Sequence, residues 1–242
     1  MGTTGSVWLH RPKHRPGARL RLVCLPYAGG DTVVWWPWAD GLGEDVELWC
    51  VRLPGRGRRF GEPALTDVAD VVGPLAEAVR DLGPVVLFGH SMGAVIAFEL
   101  ARRLDEVAHV VLSAAAAPRL MPRGDAHLLD DNGLIAWMTE LGGAPPALLA
   151  DPELLSLVLP TLRADLALCA GYRDVGPPLD VPLTVVVGDR DPLVPVAHAR
   201  AWRDRTTAAF ACRVHPGGHF SVQDDPSQVF AAVRDCVKEG AR

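Results

Sequence analysis

The sequence predicts an α/β fold in which a mostly parallel central sheet is covered by helices on both faces. Short apolar runs typical of buried strands alternate with longer segments of helical spacing, and the early runs lead into loops rich in glycine and proline. With 242 residues, of which 49% are hydrophobic, the chain can bury a substantial core. We therefore expect one domain over residues 1–242.

The first part of the chain predicts two strands and a helix. Residues 20–26 (LRLVCLP) and 46–53 (VELWCVRL) are apolar runs of the kind found in neighbouring buried strands. Residues 67–82 carry apolar side chains at helical spacing. We expect Thr66 to cap this helix and Gly83, which precedes a proline, to end it.

Three further strands follow the same alternation. Residues 85–88 predict a strand, and residues 94–103 predict the helix after it. Residues 108–114 and 182–187 predict two more strands. In a sheet of this kind ligands bind at the carboxyl ends of the strands, so we expect functional residues there.

More than sixty residues separate the last two of these strands, which is too many for a simple crossover. Two helical pieces, at residues 134–141 and 152–172, lie on either side of the Gly/Pro-rich stretch 142–146. Insertions at such places commonly cover an active site. We expect a helical lid at about residues 118–175, and the alternative is an ordinary pair of covering helices.

The pentapeptide GHSMG at residues 89–93 lies between a predicted strand and a predicted helix. Glycines on both sides of Ser91 permit a sharp turn that pushes the serine hydroxyl out toward a base and hydrogen-bond donors. The pattern predicts a nucleophile elbow with Ser91 as the nucleophile. We interpret His90 as support for this turn, with direct contact to a substrate as the alternative.

A serine nucleophile needs an imidazole to take its proton and a carboxylate to orient that imidazole. Asp189 and Asp191 both follow a predicted strand, and we prefer Asp191 because Asp189 could simply bond within its own turn. His219 follows a flexible Gly-Gly near the expected end of the last strand, so it is the predicted base. His215 could bond locally at the strand end.

The oxyanion that forms when a serine attacks a carbonyl needs about two preorganised N–H donors. The amide of Met92, which follows the nucleophile, is one expected donor. The loop PYAGG at residues 26–30 should bring the second, and Ala28 is the preferred residue. A plain glycine-rich turn is the alternative interpretation of that loop.

The composition indicates which binding partners and which cellular compartment to expect for the protein. The formal net charge of -5 disfavours nucleic acid as a partner. Five cysteines without a C-x-x-C pair fit buried free thiols in a reducing cytoplasm. The start of the chain shows no signal-cleavage pattern, and no uninterrupted apolar segment approaches the roughly 18 residues of a membrane span. We expect a cytoplasmic protein that needs neither a membrane nor a metal or redox cofactor.

Several segments together resemble the type II thioesterases of polyketide and nonribosomal peptide biosynthesis, a branch of the α/β-hydrolase superfamily. The match spans nearly the whole chain, except that residues 119–131 follow the family's pattern loosely. The segments that carry it are LPYAGG at 25–30, LPGRGRR at 53–59, GHSMGA at 89–94, LGGAPP at 141–146, DPELL at 151–155, LPTLRADLALCAGYR at 159–173, and the later GDRDP and PGGHF.

The resemblance implies an α/β-hydrolase fold with Ser91, Asp191 and His219 as catalytic triad and the amides of Ala28 and Met92 as oxyanion hole. It also implies that the enzyme removes aberrant or stalled acyl groups from the phosphopantetheine arm of acyl or peptidyl carrier proteins, through an acyl-serine intermediate. It implies no cofactor, and we expect a monomer. A general carboxylesterase or an acyltransferase would use the same triad, and a noncatalytic module with the same fold is a further alternative.

Two sets of residues are candidates for contacts with such a substrate. Apolar residues of the predicted lid either line an acyl chamber or pack in a core: Leu134, Trp137, Met138, Leu141 and Leu148. Because carrier proteins are commonly acidic, a local basic patch would help encounter. The candidates, which could instead pair with nearby carboxylates such as Glu62, are Arg56, Arg58 and Arg59, or Arg119 and Arg123.

Overall fold

The computed structural model describes residues 6–122 and 124–239. Their strands form one sheet in the order β1-β3-β2-β4-β5-β6-β7, in which β1 pairs antiparallel with β3 and every other neighbouring pair is parallel. The strands are β1 (Leu9–His10), β2 (Leu20–Leu25), β3 (Val46–Val51), β4 (Val85–His90), β5 (Val107–Ser113), β6 (Leu183–Gly188) and β7 (Phe210–His215).

Helices cover both faces of this sheet. The α-helices are α1 (Trp38–Gly41), α2 (Val68–Val79), α3 (Met92–Ala101), α4 (Asp131–Glu140), α5 (Pro146–Leu149), α6 (Pro152–Gly171), α7 (Val196–Arg200), α8 (Ser221–Asp224) and α9 (Ser227–Glu239). Short 3-10 helices occupy Thr32–Trp35, Gly57–Arg59, Arg80–Leu82, Pro118–Leu120, Ala126–Leu128 and Ala201–Arg205. The predicted fold class, a mostly parallel sheet between layers of helices, is confirmed.

Each predicted strand and helix is present, with bounds that differ by a few residues. Strand β4 continues through Gly89 and His90, so the first two residues of the GHSMG motif belong to the strand. The predicted cap of α2 was wrong: Asp67, not Thr66, precedes the helix, and its carboxylate accepts the amide hydrogen of Ala69 at 2.8 Å. An aspartate one position later reaches the free amides of the first turn directly.

The register of the sheet aligns the carboxyl ends of its central strands. Gly89 in β4 is the partner of Leu25 in β2 and of Leu112 in β5, and Ser113 at the end of β5 is the partner of Val186 in β6. Because these strands run parallel, the loops that follow them leave the same edge of the sheet. The loops that carry the predicted site residues therefore meet there.

The two faces of the sheet have separate cores. Helices α2 and α3 pack on one face, where α3 buries nine of its ten residues. On the other face Phe88 packs against both Trp35 and Trp38, with ring centroids 5.2 Å and 4.9 Å away. Burying side chains of this size contributes roughly 1.5–3 kcal/mol each, so the strand that leads to Ser91 is firmly held.

Residues 118–175, which we call the inserted segment, contain α4, α5 and α6. Its helices share a small core formed by Leu134, Met138, Leu155, Leu159 and Leu162. Among the described residues, α6 is the one helix that is long and apolar enough, by length and composition alone, to cross a membrane, although charged residues interrupt its apolar sequence. It packs over the carboxyl edge of the sheet and approaches Gly29, where an added Cβ would lie 3.4 Å from Leu162.

Candidate active site

The turn between β4 and α3 presents Ser91 at the carboxyl edge of the sheet. Ser91 has φ 53° and ψ -114°, a conformation that non-glycine residues rarely adopt. The turn is possible because two glycines let the backbones approach. A Cβ on Gly89 would lie 2.5 Å from the amide nitrogen of Ala94, and one on Gly93 would lie 2.7 Å from the carbonyl oxygen of Pro26. The closely packed backbone around Ser91 therefore keeps this residue in its strained conformation.

Two side chains from later loops reach Ser91 in a hydrogen-bonded chain. His219 Nε2 lies 3.1 Å from Ser91 Oγ, and His219 Nδ1 lies 2.9 Å from Asp191 Oδ2. The other oxygen of Asp191 accepts the amide hydrogens of Leu193 and Val194 at 2.9 Å and 3.1 Å. A carboxylate that accepts from Nδ1–H leaves Nε2 free to accept the serine proton. The arrangement can thus activate a serine for attack on a carbonyl.

The alternative acid and base lie elsewhere. Asp189 is exposed and accepts the amide hydrogen of Gly217 at 2.9 Å, a bond that lowers the pKa of its carboxyl group. His215 ends β7, and its carbonyl oxygen accepts the amide hydrogen of Asp189 at 2.9 Å. Both residues fix the positions of their own loops, and the structure places neither against Ser91.

His90 packs behind the nucleophile as a neutral ring. It is completely buried, shares a 3.0 Å hydrogen bond with the hydroxyl of Ser113, and its ring centroid lies 5.2 Å from that of His219. Burial lowers the pKa of His90 far below its usual range, and the nearby His219 lowers it further. His90 therefore places no positive charge beside His219. Phe220, which stacks near both histidines, is a neighbour that the motif did not predict.

Ala28 and Met92 line the same cavity as Ser91 and His219. Within the described part of the chain, neither amide donates a hydrogen bond to a protein acceptor. Met92 is the first residue of α3, where backbone amides have no partner inside the helix and the positive end of the helix dipole lies. Two free donors beside a serine can stabilise an oxyanion.

The next amide in the same loop has a partner that sequence reasoning missed. Gly29 donates its amide hydrogen to Asp165 of α6 at 2.7 Å. The same carboxylate forms a buried ion pair with Arg56, in which both N···O distances are 2.6 Å. A buried-looking aspartate on a mostly apolar helix was the only signal in the sequence, and nothing there identified its partner 109 residues away.

Most candidate arginines are engaged internally. Besides Arg56, Arg59 pairs with Glu62 and its guanidinium lies 4.2 Å from the ring centroid of Trp8. Arg119 pairs with Asp204, and Arg123 lies outside the described residues. Arg58 remains exposed.

A cavity of about 420 Å³ opens beside Ser91, and its wall is largely apolar. Of the five predicted chamber residues, Trp137, Met138, Leu141 and Leu148 line it, whereas Leu134 is fully buried in the core of the inserted segment. Ala114, Ala115, Ala116 and Met121 also line the cavity. The volume suits a small organic ligand. Among residues 6–122 and 124–239, no group of three His, Cys, Asp or Glu side chains is placed to hold a metal ion.

A serine raised at the carboxyl edge of a parallel sheet, with its acid and histidine following later in the chain, is the arrangement of the α/β-hydrolases. This chain has that fold. A family model for the thioesterase domain matches residues 20–236. The chain belongs to the thioesterase family, and it is a hydrolase that acts on thioesters.

Individual relatives agree with this assignment. The gramicidin S biosynthesis protein GrsT of Aneurinibacillus migulanus is 35% identical over 222 residues, which cover 88% of this chain and 87% of that protein. Thioesterase PikA5 of Streptomyces venezuelae is 34% identical, with 97% and 87% covered. The structure of the type II thioesterase BorB from the borrelidin biosynthetic cluster has a TM-score of 0.87 and 33% identity, with 97% and 99% covered. The predicted resemblance to type II thioesterases is confirmed.

Proposed function

We propose that this enzyme removes aberrant or stalled acyl groups from the phosphopantetheine arm of acyl or peptidyl carrier proteins in a polyketide or nonribosomal peptide pathway. The observation that carries the proposal is the hydrogen-bonded chain Ser91–His219–Asp191 beside an apolar cavity. The names of relatives support the pathway: GrsT belongs to gramicidin S biosynthesis, and YbtT is a type II thioesterase of a yersiniabactin NRPS/PKS pathway.

In the first half of the proposed reaction, Ser91 Oγ attacks the thioester carbonyl while His219 Nε2 takes the hydroxyl proton. Asp191 stabilises the resulting imidazolium from the other side of the ring. The amides of Ala28 and Met92 donate hydrogen bonds to the oxyanion. When the tetrahedral intermediate collapses, the C–S bond breaks, His219 gives its proton to the leaving sulfur, and an acyl ester remains on Ser91.

In the second half, water attacks the acyl ester while His219 accepts one of its protons. Collapse of the second tetrahedral intermediate breaks the ester bond and returns that proton to Ser91 Oγ. The products are a free carboxylic acid and a carrier with a free thiol. The overall reaction consumes one water, and it uses no groups of the enzyme beyond the side chains and amides described above.

We infer that the inserted segment acts as the lid of an acyl chamber and forms one domain with the sheet. Residues of α4, α5 and α6 line the cavity together with the loop after β5. Gly143 of the inserted segment lies against Phe220, where an added Cβ would come within 2.6 Å of the ring. The apolar walls favour an uncharged acyl chain.

We infer that an acidic carrier protein docks on the surface beside Val33, which lines the cavity and is 51% exposed. Trp36 next to it is 44% exposed and stacks on His10, at a centroid distance of 5.1 Å. Burial lowers the pKa of His10 first, the positive charges of Arg52 and Arg58 lower it further, and the negative charge of Asp31 raises it. The cations beside this surface are Arg52, whose guanidinium nitrogen lies 2.9 Å from His10 Nδ1, and the exposed Arg58. Together they give an apolar surface with a cationic border on a protein whose net charge is -5.

Reversing the charge of Arg58 tests the proposed docking surface. Arg58→Glu should raise KM for an acyl-loaded carrier about threefold to tenfold at low salt and leave kcat unchanged, because rim charges act mainly on encounter. Hydrolysis of an acyl-pantetheine thioester without a protein should not change. An equal effect on both substrates would contradict docking at this surface.

The function itself is tested by mass spectrometry of carriers loaded with acyl chains of two to about ten carbons. We expect wild-type enzyme to regenerate free-thiol carrier faster than it cleaves matched oxygen esters, and Ser91→Ala to leave the carriers loaded. A rapid-quench sample should contain wild-type enzyme that is heavier by one acyl group on Ser91. Loaded carriers that persist while oxygen esters are cleaved would indicate a general esterase, and acyl transfer to an added alcohol or amine would indicate an acyltransferase.

A further inference from the structure

The loop that carries Ala28 is a tight turn closed by its own backbone. Gly30 donates its amide hydrogen to the carbonyl oxygen of Tyr27 at 2.9 Å, and Gly29 has φ +76°. These are the marks of a type II turn, in which the third residue has φ near +80°. The Tyr27 carbonyl and the Ala28 amide belong to one planar peptide group. Because the turn bond holds the carbonyl, it also fixes the direction of the Ala28 N–H.

The ion pair of Arg56 with Asp165 holds this turn from two sides. Asp165 accepts the amide hydrogen of Gly29 at 2.7 Å, and Arg56 donates to the carbonyl oxygen of Gly30 at 3.2 Å. Arg56 also donates to the carbonyl oxygen of Pro54 in its own loop at 3.3 Å. Each member of the pair thus contacts the turn directly, and the Gly29 contact fixes the central peptide group of the turn.

The pair is buried as well as close. Asp165 is 1% exposed and Arg56 is 8% exposed, and both carboxylate oxygens are engaged. A buried charge without its partner is strongly unfavourable, so neither side chain is free to leave while the other stays. The pair joins three parts of the chain: the loop after β2, the loop after β3, and the middle of α6 in the inserted segment.

We propose that Arg56 and Asp165 are positioning residues that hold the Ala28 amide toward the oxyanion and make its position depend on the docking of α6. The proposal rests on the proposed function, since it assigns the Ala28 amide to the oxyanion hole. Neither side chain touches the substrate. They act through the turn at residues 27–30, and the amide of Met92, which α3 fixes, does not depend on them.

The test compares variants of the pair with a matched control on the same helix. Thr161, one turn before Asp165 in α6, donates a buried 2.8 Å hydrogen bond to the carbonyl oxygen of Gly55. Thr161→Val therefore removes a bond between the same helix and the same loop without touching the turn. Asp165→Asn keeps an oxygen for Gly29 but loses the charge, and the double variant Arg56→Met/Asp165→Leu replaces both charges with apolar groups, an exchange that often preserves stability.

Each variant is measured for kcat, KM, melting temperature and affinity for an acyl trifluoromethyl ketone, which adds to the serine and mimics the oxyanion. We expect kcat to fall at least about tenfold in the double variant, and less in Asp165→Asn, which keeps an acceptor for Gly29; KM should stay within about twofold, because loss of a whole oxyanion donor costs about 10²–10³ in kcat. Affinity for the ketone should fall in parallel. The double variant should keep a melting temperature near that of the wild type, and Thr161→Val should keep kcat within about twofold.

A double variant with wild-type kcat and ketone affinity would overturn the proposal, since the pair would then be structural only. A loss of kcat that follows the melting temperature across all variants, Thr161→Val included, would overturn it too. Labelling of Ser91 by a fluorophosphonate separates this failure from that of the proposed function. If wild-type enzyme neither labels at Ser91 nor hydrolyses loaded carriers, the proposed function fails and the inference fails with it. If wild type does both and the pair variants match it, only the inference fails.

Discussion

Replacing Gly93 by alanine tests how closely α3 must approach the loop after β2. An added Cβ would lie 2.7 Å from the carbonyl oxygen of Pro26, and the carbonyl oxygen of Leu25 is closer still. Carbon–oxygen contacts are ordinarily about 3.3 Å or longer, so relieving the closer contact, with Leu25, would require the helix and the loop to separate by about 0.9 Å. Both neighbours are backbone atoms, which cannot rotate away as a side chain can.

That separation acts on the proposed oxyanion hole, because Met92 starts α3 and Ala28 follows Pro26 in the loop. A misplacement of about 1 Å can cost about 10²-fold in rate, so we expect Gly93→Ala to lower kcat by about tenfold to 100-fold. Overpacking of this kind also destabilises by about 1–3 kcal/mol. Stopped-flow hydrolysis of an acyl thioester gives kcat, and urea unfolding gives stability.

Gly171→Ala is the matched control. Gly171 is the last residue of α6, and an added Cβ would have nothing within 4 Å. Alanine there should leave kcat unchanged and raise stability by up to about 1 kcal/mol, from its higher helix propensity. If Gly93→Ala has wild-type kcat and stability, the close approach of α3 to the loop is not what holds the site, and the reasoning fails.

Two further predictions concern histidines. Asp191→Asn should lower kcat about 10³- to 10⁴-fold without a large change in KM, because an amide in place of the carboxylate can hold His219 in the wrong tautomer. Steady-state kinetics measures this effect. A loss of kcat below about tenfold would show that Asp191 has no part in the mechanism. Burial, aided by the charge of Arg213, lowers the pKa of His109 from 6.5 to about 4. His109 therefore binds a proton below about pH 6.5 in the unfolded chain but only below about pH 4 in the folded protein. The free energy of unfolding should fall as the pH falls from about 6.5 to about 4. Urea unfolding from about pH 7 to about pH 5 should show a smaller loss for His109→Gln than for the wild type, and equal losses would contradict the assignment.

The sequence predicted the central strands well because they are buried on both faces. Residues of β4 and β6 are all buried, and strands of that kind appear as continuous apolar runs. Strand β1 has two residues and pairs at the edge, so no run of useful length marks it. Strand β7 is only partly buried, and its sequence FACRVH mixes polar and apolar residues. The sequence located its end only through the histidine motif that follows.

The site residues divide in the same way. Ser91 was predictable because its turn needs glycines at fixed offsets, and a requirement of this kind shows directly in the residues next to the serine. The choice of Asp191 over Asp189 rested on a weaker local argument, and the structure places Asp191 against His219. The contact of Asp165 with Gly29 spans 136 residues and depends on how α6 docks. Local sequence patterns do not predict such a pairing, since it arises only when distant parts of the chain pack together.

The two proposed oxyanion donors are therefore held by different parts of the fold. Met92 starts a helix that is almost wholly buried against the sheet, so its amide should keep its place as long as the core is folded. Ala28 lies in a turn whose central peptide is fixed by Asp165 of the inserted segment. If α6 moves when an acyl chain enters the cavity, only the Ala28 donor should move with it. An acyl group that lets α6 dock fully would then be stabilised by both amide donors, whereas an acyl group that prevents docking would be stabilised by the Met92 amide alone. The wall of the chamber could therefore select substrates through kcat as well as through binding.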